Sequence, residues 1–142
     1  MKSQKRILVA LIACLLWMVT LLPCASAEIV ISPQSSQLIS SANVSADPQG
    51  SGRIDITAHI SCYNVADSLG FSYIRLQENR NGTWTTVKSV TSKYTANELQ
   101  YTYSFTYYGT PGLDYRAQAG FTATRGSVTE TRSSTSAVRT CN

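Results

Sequence analysis

Two residue types in this chain could carry chemistry, a single histidine and a small set of cysteines. His59 lies on the polar side of an alternating stretch, with Asp55 four residues before it. Catalysis by a histidine needs a nucleophile or a second acid with a defined role, and a zinc site needs more ligands than one histidine supplies. The surrounding sequence provides neither, so we expect a surface histidine, no catalytic site, no metal site and no cofactor.

Aromatic residues give the second candidate site. Tyrosine combines a flat apolar ring with a polar tip, which suits contact with proteins or sugars. The opposing interpretation is core and cross-strand packing. The candidate binding patch consists of Trp84, Tyr101, Tyr103, Tyr107 and Tyr108.

The elements that position these rings are strands. From Leu99 to Ala123 apolar residues recur at every second position, first in Tyr101–Tyr107 and again from Tyr115 onward. This period is typical of half-buried strands. Pro111 and the neighbouring glycines supply a turn between them. We therefore predict two strands that fold back on each other.

The rest of the chain repeats this pattern. A weak strand over 38–46 precedes a turn at 47–52, a core strand over 54–62, a polar link over 64–70 and a hairpin, 71–78 with 83–90, around Asn81-Gly82. An Asn-Gly pair favours such a hairpin. On 71–78, Ile74 and Leu76 face one way, and Tyr73, Arg75 and Gln77 face the other. A last long strand over 127–141 completes about seven strands without a helix, which predicts an antiparallel two-sheet sandwich.

The N-terminal segment indicates export. Residues 1–27 combine basic residues, an apolar run over 7–22 and the small-residue site Ala25-Ser26-Ala27, so we predict a signal peptide cleaved after Ala27. Pro23 ends the apolar run short of a membrane span, and a lipoprotein with Cys24 as the modified residue is the alternative. One domain of about 115 residues, 28–142, remains. Its nine Lys and Arg nearly balance eight Asp and Glu, which argues against nucleic acid and anionic membrane as partners.

Several residues and short runs resemble those of known β-sandwich proteins. Tyr115, directly after a turn and opening a strand, resembles the tyrosine corner of immunoglobulin-like and fibronectin type III-like sandwiches. The runs 74–78, 82–84 and 121–123, with Gly112, resemble a group of small, uncharacterised secreted proteins of Gram-positive bacteria. The resemblance implies an immunoglobulin-like β-sandwich with Tyr115 as a fold-determining residue and brings no catalytic residues. The chain departs from immunoglobulin domains at Ala117, where those domains place a disulfide cysteine.

Cys62 and Cys141 are the two cysteines left after cleavage, and an even pair in an exported protein favours a disulfide. Closing a loop of about 79 residues would stabilise the fold by roughly 4 kcal/mol in the chain-entropy model. In an immunoglobulin-like order, however, the end of the last strand lies away from Cys62. We predict the disulfide. The alternatives are a chain that bends back after about Thr135, a different topology, and free thiols.

Together these features predict a secreted, non-enzymatic β-sandwich module that binds an extracellular protein or polysaccharide, with no membrane association after signal cleavage. A small secreted hydrolase that uses His59 with an acid is one alternative. A secreted effector or toxin-like protein is another.

Overall fold

The computed structural model describes residues 37–142, and this part of the chain is all-β. The all-β class and the antiparallel two-sheet arrangement are confirmed, whereas the predicted signal peptide lies outside the described residues. No helix of residues 37–142 is long and apolar enough to cross a membrane. The strands are β1 (Ile39–Gly50), β2 (Arg53–Ala66), β3 (Ser68–Arg80), β4 (Thr83–Thr95), β5 (Glu98–Tyr108), β6 (Asp114–Arg125), β7 (Val128–Thr135) and β8 (Arg139–Thr140).

The strands form two antiparallel sheets. A three-stranded sheet has the order β1-β2-β5, and a five-stranded sheet has the order β4-β3-β6-β7, with the short β8 paired to β6. We call the end of the sandwich at Cys62 the upper end and the end at Gly52 the lower end. β2 runs from the lower end to the upper end, and β1 and β5 run in the opposite direction.

The core lies between the sheets because side chains alternate along each strand. On β2, Ile54, Ile56, Ala58 and Ile60 are fully buried, and β6 contributes a second alternating set that begins at Tyr115. β3 adds Leu69, Phe71, Ile74 and Leu76. Each sheet therefore buries one face and leaves the other exposed to solvent.

The predicted hairpin at Asn81-Gly82 is present between β3 and β4. Both turn residues have positive φ, 52° and 84°, as a two-residue hairpin turn of this kind requires. The side chain of Asn79 accepts a hydrogen bond from the Gly82 backbone N–H at 2.9 Å. This local bond fixes the register in which β4 returns along β3.

The predicted pairing of the two strands in 99–123 is wrong. β5 pairs with β2 in one sheet, and β6 pairs with β3 and β7 in the other, so the turn after β5 carries the chain across the sandwich. Alternation identifies the buried face of a strand but not its neighbour. Both strands present their aromatic faces to the same core from opposite sides.

Several strand limits also differ from the prediction. β1 continues through the predicted turn to Gly50. β2 and β3 extend into the predicted link over 64–70, so that only Asp67 remains between them. The predicted last strand is divided into β7 and β8. A bulge between Ile39 and Ser41 reverses the alternation, so Ile39 is buried on the same side of β1 as Val44 and Ala46. Polar strand residues that face solvent do not differ from loop residues in composition, which explains the underestimated lengths.

The Tyr115 hydroxyl contacts the backbone of the connection between β5 and β6. The ring is fully buried, and the hydroxyl accepts a hydrogen bond at 2.9 Å from the backbone N–H of Thr110, five residues upstream. The same hydroxyl donates to the carboxylate of Glu78, which is 3% exposed and also accepts a hydrogen bond from Arg80. One phenol thus joins the inter-sheet connection to a buried acid on β3.

The pKa values of Glu78 and Tyr115 are both shifted from their ordinary values. The hydrogen bond from Tyr115 holds the pKa of the Glu78 carboxyl below its ordinary value of 4.5, while burial opposes the shift and Arg80 adds to it. Burial, followed by the bond to Glu78, raises the pKa of the Tyr115 phenol. At neutral pH the contact is therefore a protonated phenol donating to a carboxylate, which is stronger than a neutral hydrogen bond.

The predicted Cys62–Cys141 disulfide within one chain is wrong, and both thiols are free and buried. Cys141 lies at the lower end, where its Sγ donates to the carbonyl oxygen of Gly52 at 3.4 Å. Cys62 lies ten residues farther along β2, a separation of roughly 30 Å at strand rise. A disulfide needs Cα atoms within about 7 Å. Burial, and then the charge of Glu130, raises the pKa of the Cys62 thiol.

Candidate binding surface

Three tyrosines of the candidate patch point into the space between the sheets. Tyr101, Tyr103 and Tyr107 are half-buried on β5 and pack against the core. The ring of Tyr101 lies 5.5 Å from that of Phe71, and the ring of Tyr107 lies 6.2 Å from that of Tyr115. These three rings therefore pack against the core from β5, the edge strand of the three-stranded sheet.

The other two members of the candidate patch lie on opposite outer faces. Tyr108 is 73% exposed at the lower end of the three-stranded sheet, opposite Arg53. Trp84 is half-buried beside Arg116, on the outer face of the five-stranded sheet. The five predicted residues therefore do not form one surface.

A continuous row of side chains crosses the outer face of the five-stranded sheet. We name it the aromatic–arginine row: Tyr73, Arg75, Gln77, Arg116 and Trp84. The guanidinium carbon of Arg75 lies 4.5 Å from the centre of the Tyr73 ring, and that of Arg116 lies 4.2 Å from the Trp84 ring. Arg116 Nε also donates to the side-chain oxygen of Gln77 at 2.9 Å. Strand alternation places Arg75, Gln77 and Arg116 outward, because both chain neighbours of each are buried, and their contacts bring Tyr73 and Trp84 to the same face.

An open hollow of about 410 Å³ continues from the upper end of this row. Gly120 forms its floor, directly opposite Tyr73 in the β3–β6 pairing. A Cβ at Gly120 would lie 2.5 Å from Ser72 Oγ and 2.6 Å from Tyr73 Cε1, so a larger residue would displace the Tyr73 ring and the Ser72 hydroxyl. Hydroxyl groups surround the hollow. They belong to Ser72, Thr122, Thr131 and Ser133.

The surface is open to ligands that stack on a ring and exchange hydrogen bonds. Arg75 covers one face of the Tyr73 ring, which leaves the rest of the ring for a ligand, and each hydroxyl can donate or accept a hydrogen bond. Sugars carry apolar C–H faces and many hydroxyls, so this composition complements them. Tyr73 and Gly120 are not part of the candidate patch predicted from the sequence, which places Tyr73, Arg75 and Gln77 only on the face opposite Ile74 and Leu76.

His59 lies on the outer face of the three-stranded sheet, far from this surface. Its Nδ1 is 2.9 Å from Thr102 Oγ1. Asp55, four residues away and roughly 13 Å along the strand, is held by Arg53 at 3.0 Å and by Thr106 at 2.8 Å. These contacts form a flat ladder of cross-strand polar pairs, in which no acid orients the imidazole.

No group of three or more His, Cys, Asp or Glu residues within 37–142 could hold a metal ion. Comparison of the chain with models of protein families, with curated proteins and with solved structures gave no significant match.

Proposed function

We propose that this protein is a secreted, non-enzymatic module that binds an extracellular glycan on the outer face of its five-stranded sheet. The observation that carries the proposal is the glycine-floored hollow beside Tyr73, with hydroxyl groups around it. An aromatic ring for the apolar face of a sugar and nearby hydroxyls for its polar groups are the two contacts that such a ligand needs.

An immunoglobulin-like, fibronectin type III-like identity is part of the proposal. Two features support it: the antiparallel sandwich, and the hydrogen bond from the Thr110 backbone to the buried Tyr115 at the crossing between sheets. β4 pairs with β3 in the same sheet as β6 and β7, which is the position of the C′ strand in variable-type domains rather than of the D strand in constant-type domains. Membership of the group of secreted Gram-positive proteins remains a proposal that rests on the sequence resemblance.

Secretion is proposed from the sequence of residues 1–27. Fractionation of expressing cells tests it: we expect a chain that begins at Glu28 in the medium or periplasm. Retention with the membrane after cleavage would favour the lipoprotein alternative at Cys24.

We propose that the protein is not an enzyme because of the polar contacts that His59 and Asp55 make. A hydrolase needs a nucleophile, a base and an orienting group in one place, whereas Asp55 here binds Arg53 and Thr106. Loss of a hydrolytic activity in His59→Ala would overturn this part of the proposal.

Glycan binding is tested with an array of neutral and acidic polysaccharides. We expect binding by the parent protein and at least a tenfold loss in Tyr73→Ala, because a central aromatic contact typically accounts for more than about 1.4 kcal/mol. Tyr108→Ala, an exposed tyrosine on the other sheet, is the matched control and should bind as the parent does. Silence of the whole array, or an equal loss in both variants, would contradict the proposal and favour a protein partner.

A further inference from the structure

Both arginines of the aromatic–arginine row are held by rings. Arg75 lies over Tyr73, and Arg116 lies over Trp84 while its Nε donates to Gln77. A guanidinium group stacked on a ring keeps its in-plane N–H donors free, and less side-chain freedom is lost when it binds a ligand. These two groups are therefore prepared to form paired hydrogen bonds with an anion.

Neither arginine has a carboxylate partner among residues 37–142. The three ion pairs of this range belong to other arginines. By strand alternation the nearest acid on the same face of β6 is Asp114, which lies two residues from Arg116 and accepts a hydrogen bond from Thr140 Oγ1 at 2.7 Å. The buried Glu78 and the half-buried Glu130 are used within the fold. The row thus carries two arginines that form no ion pair among residues 37–142, and Asp114 is the acid next to them on this face.

The two guanidinium groups lean in opposite directions along β3. Arg75 and Arg116 are diagonal neighbours in the β3–β6 pairing, with Cα atoms roughly 8 Å apart. Their stacking partners diverge, since Tyr73 lies toward the upper end and Trp84 pairs with Asn79 near the lower end. From Tyr73 to Gln77 the strand rises roughly 13 Å. One small anion cannot bridge both groups, whereas a polymer with repeated acidic groups can contact each in turn.

We propose that the glycan bound by this surface is an acidic polysaccharide whose carboxylate groups pair with Arg75 and Arg116. The inference rests on the proposed glycan-binding function and specifies its ligand class. Carboxylate matches the planar fork of arginine. The sugar rings between the acidic groups lie along Tyr73, Gln77 and Trp84. Nucleic acid fits less well, because sites for it depend on many phosphate contacts and a strongly basic surface.

The test compares polygalacturonate oligomers with their methyl-esterified form, which has the same backbone without the charges. Titration calorimetry uses protein expressed from the full coding sequence. We expect the parent to bind the acidic polymer at least tenfold more tightly than the ester, with a preference that weakens at high salt. Arg75→Gln and Arg116→Gln should each weaken binding of the acidic polymer roughly tenfold. Arg125→Gln, at an exposed arginine that ends β6, is the control and should bind as the parent does.

The outcomes separate this inference from the proposed function. If the ester binds as tightly as the acid, and the arginine variants bind normally while Tyr73→Ala does not, the glycan function stands and the acidic ligand is overturned. If neither polymer nor any neutral glycan binds, both fail. Equal binding of single-stranded oligodeoxythymidylate, with the same arginine dependence, would identify a general polyanion site and overturn the acidic glycan as the specific ligand.

Discussion

Removal of one oxygen atom at Tyr115 tests the buried centre of this fold. Tyr115→Phe keeps the ring but deletes the hydroxyl, which accepts a bond from the Thr110 backbone and donates one to Glu78. The carboxylate then keeps Arg80 as its hydrogen-bond donor in a site that is 3% exposed. The substitution therefore affects both the inter-sheet connection and a buried charge.

The expected magnitude follows from these two losses. A hydrogen bond to a charged group contributes about 1.5 to 3 kcal/mol, and a neutral bond to the backbone about 1 kcal/mol. Because the Thr110 N–H is only partly buried, water replaces some of the second loss. We expect Tyr115→Phe to lower the free energy of unfolding by about 2 to 4 kcal/mol. Tyr115→Ala, which also leaves a cavity, should cost about 3 to 5 kcal/mol or more.

The loss should depend on pH. The lowered pKa of Glu78 means that the stability from its ionised form is fully present above its ordinary value of 4.5 and is lost as pH falls through the lower folded value. Tyr115→Phe removes the hydrogen bond that contributes most to the lowered pKa of Glu78. The difference between parent and variant should therefore be largest near neutral pH and should shrink in acid.

Urea denaturation of both proteins at neutral and acidic pH measures this difference. Tyr108→Phe is the matched control, because that ring is 73% exposed and its loss of a hydroxyl should cost little. Equal stability of Tyr115→Phe and the parent at neutral pH would refute the role of the hydroxyl as a link between sheets. A constant difference across the pH range would refute the contribution of Glu78 but not that of Thr110.

Two further predictions concern packing and the thiols. Gly70→Ala should destabilise the protein by about 2 to 3 kcal/mol or more in denaturation experiments, because its Cβ would lie 2.1 Å from the Lys93 carbonyl oxygen on β4; Gly126→Ala, with open space around it but positive φ, should cost less. A reducing agent should leave the thermal midpoint unchanged, since Cys62 and Cys141 are free; a lower midpoint after reduction would show that a disulfide forms.

The sequence predicts the faces of the strands better than their neighbours. Alternation around Ile56 and Ile74 identifies the buried sides of β2 and β3, and Asn81-Gly82 identifies the tight hairpin that joins β3 to β4. The strand that pairs with β5 depends on packing between residues far apart in sequence, and an alternation of two residues does not reveal such contacts. Glu78 was missed because a charged side chain is ordinarily placed at the surface.

The candidate surface, too, can be predicted from the sequence only in part. The outward positions of Tyr73 and Arg75 follow from the pattern of β3 alone. Their association with Arg116 and Trp84 depends on the order of β4, β3 and β6 in the sheet, and the hollow depends on the pairing of Tyr73 with Gly120. A glycine within a strand was the available signal, because it marks a place where another group approaches closely.

The placement of the described ends has a mechanical consequence. β1 begins at the upper end of the sandwich, opposite Cys62, while Asn142 lies at the lower end, where its carbonyl oxygen accepts a hydrogen bond from Gly52 at 2.7 Å. A pulling force between residues 38 and 142 would act along the strands, so β1 would slide past β2 and its ladder of hydrogen bonds would carry the load together. Strands loaded in this shear geometry resist force more strongly than strands that are unzipped one bond at a time. A molecule anchored through one end and pulled through the other would keep its aromatic–arginine row intact under tension.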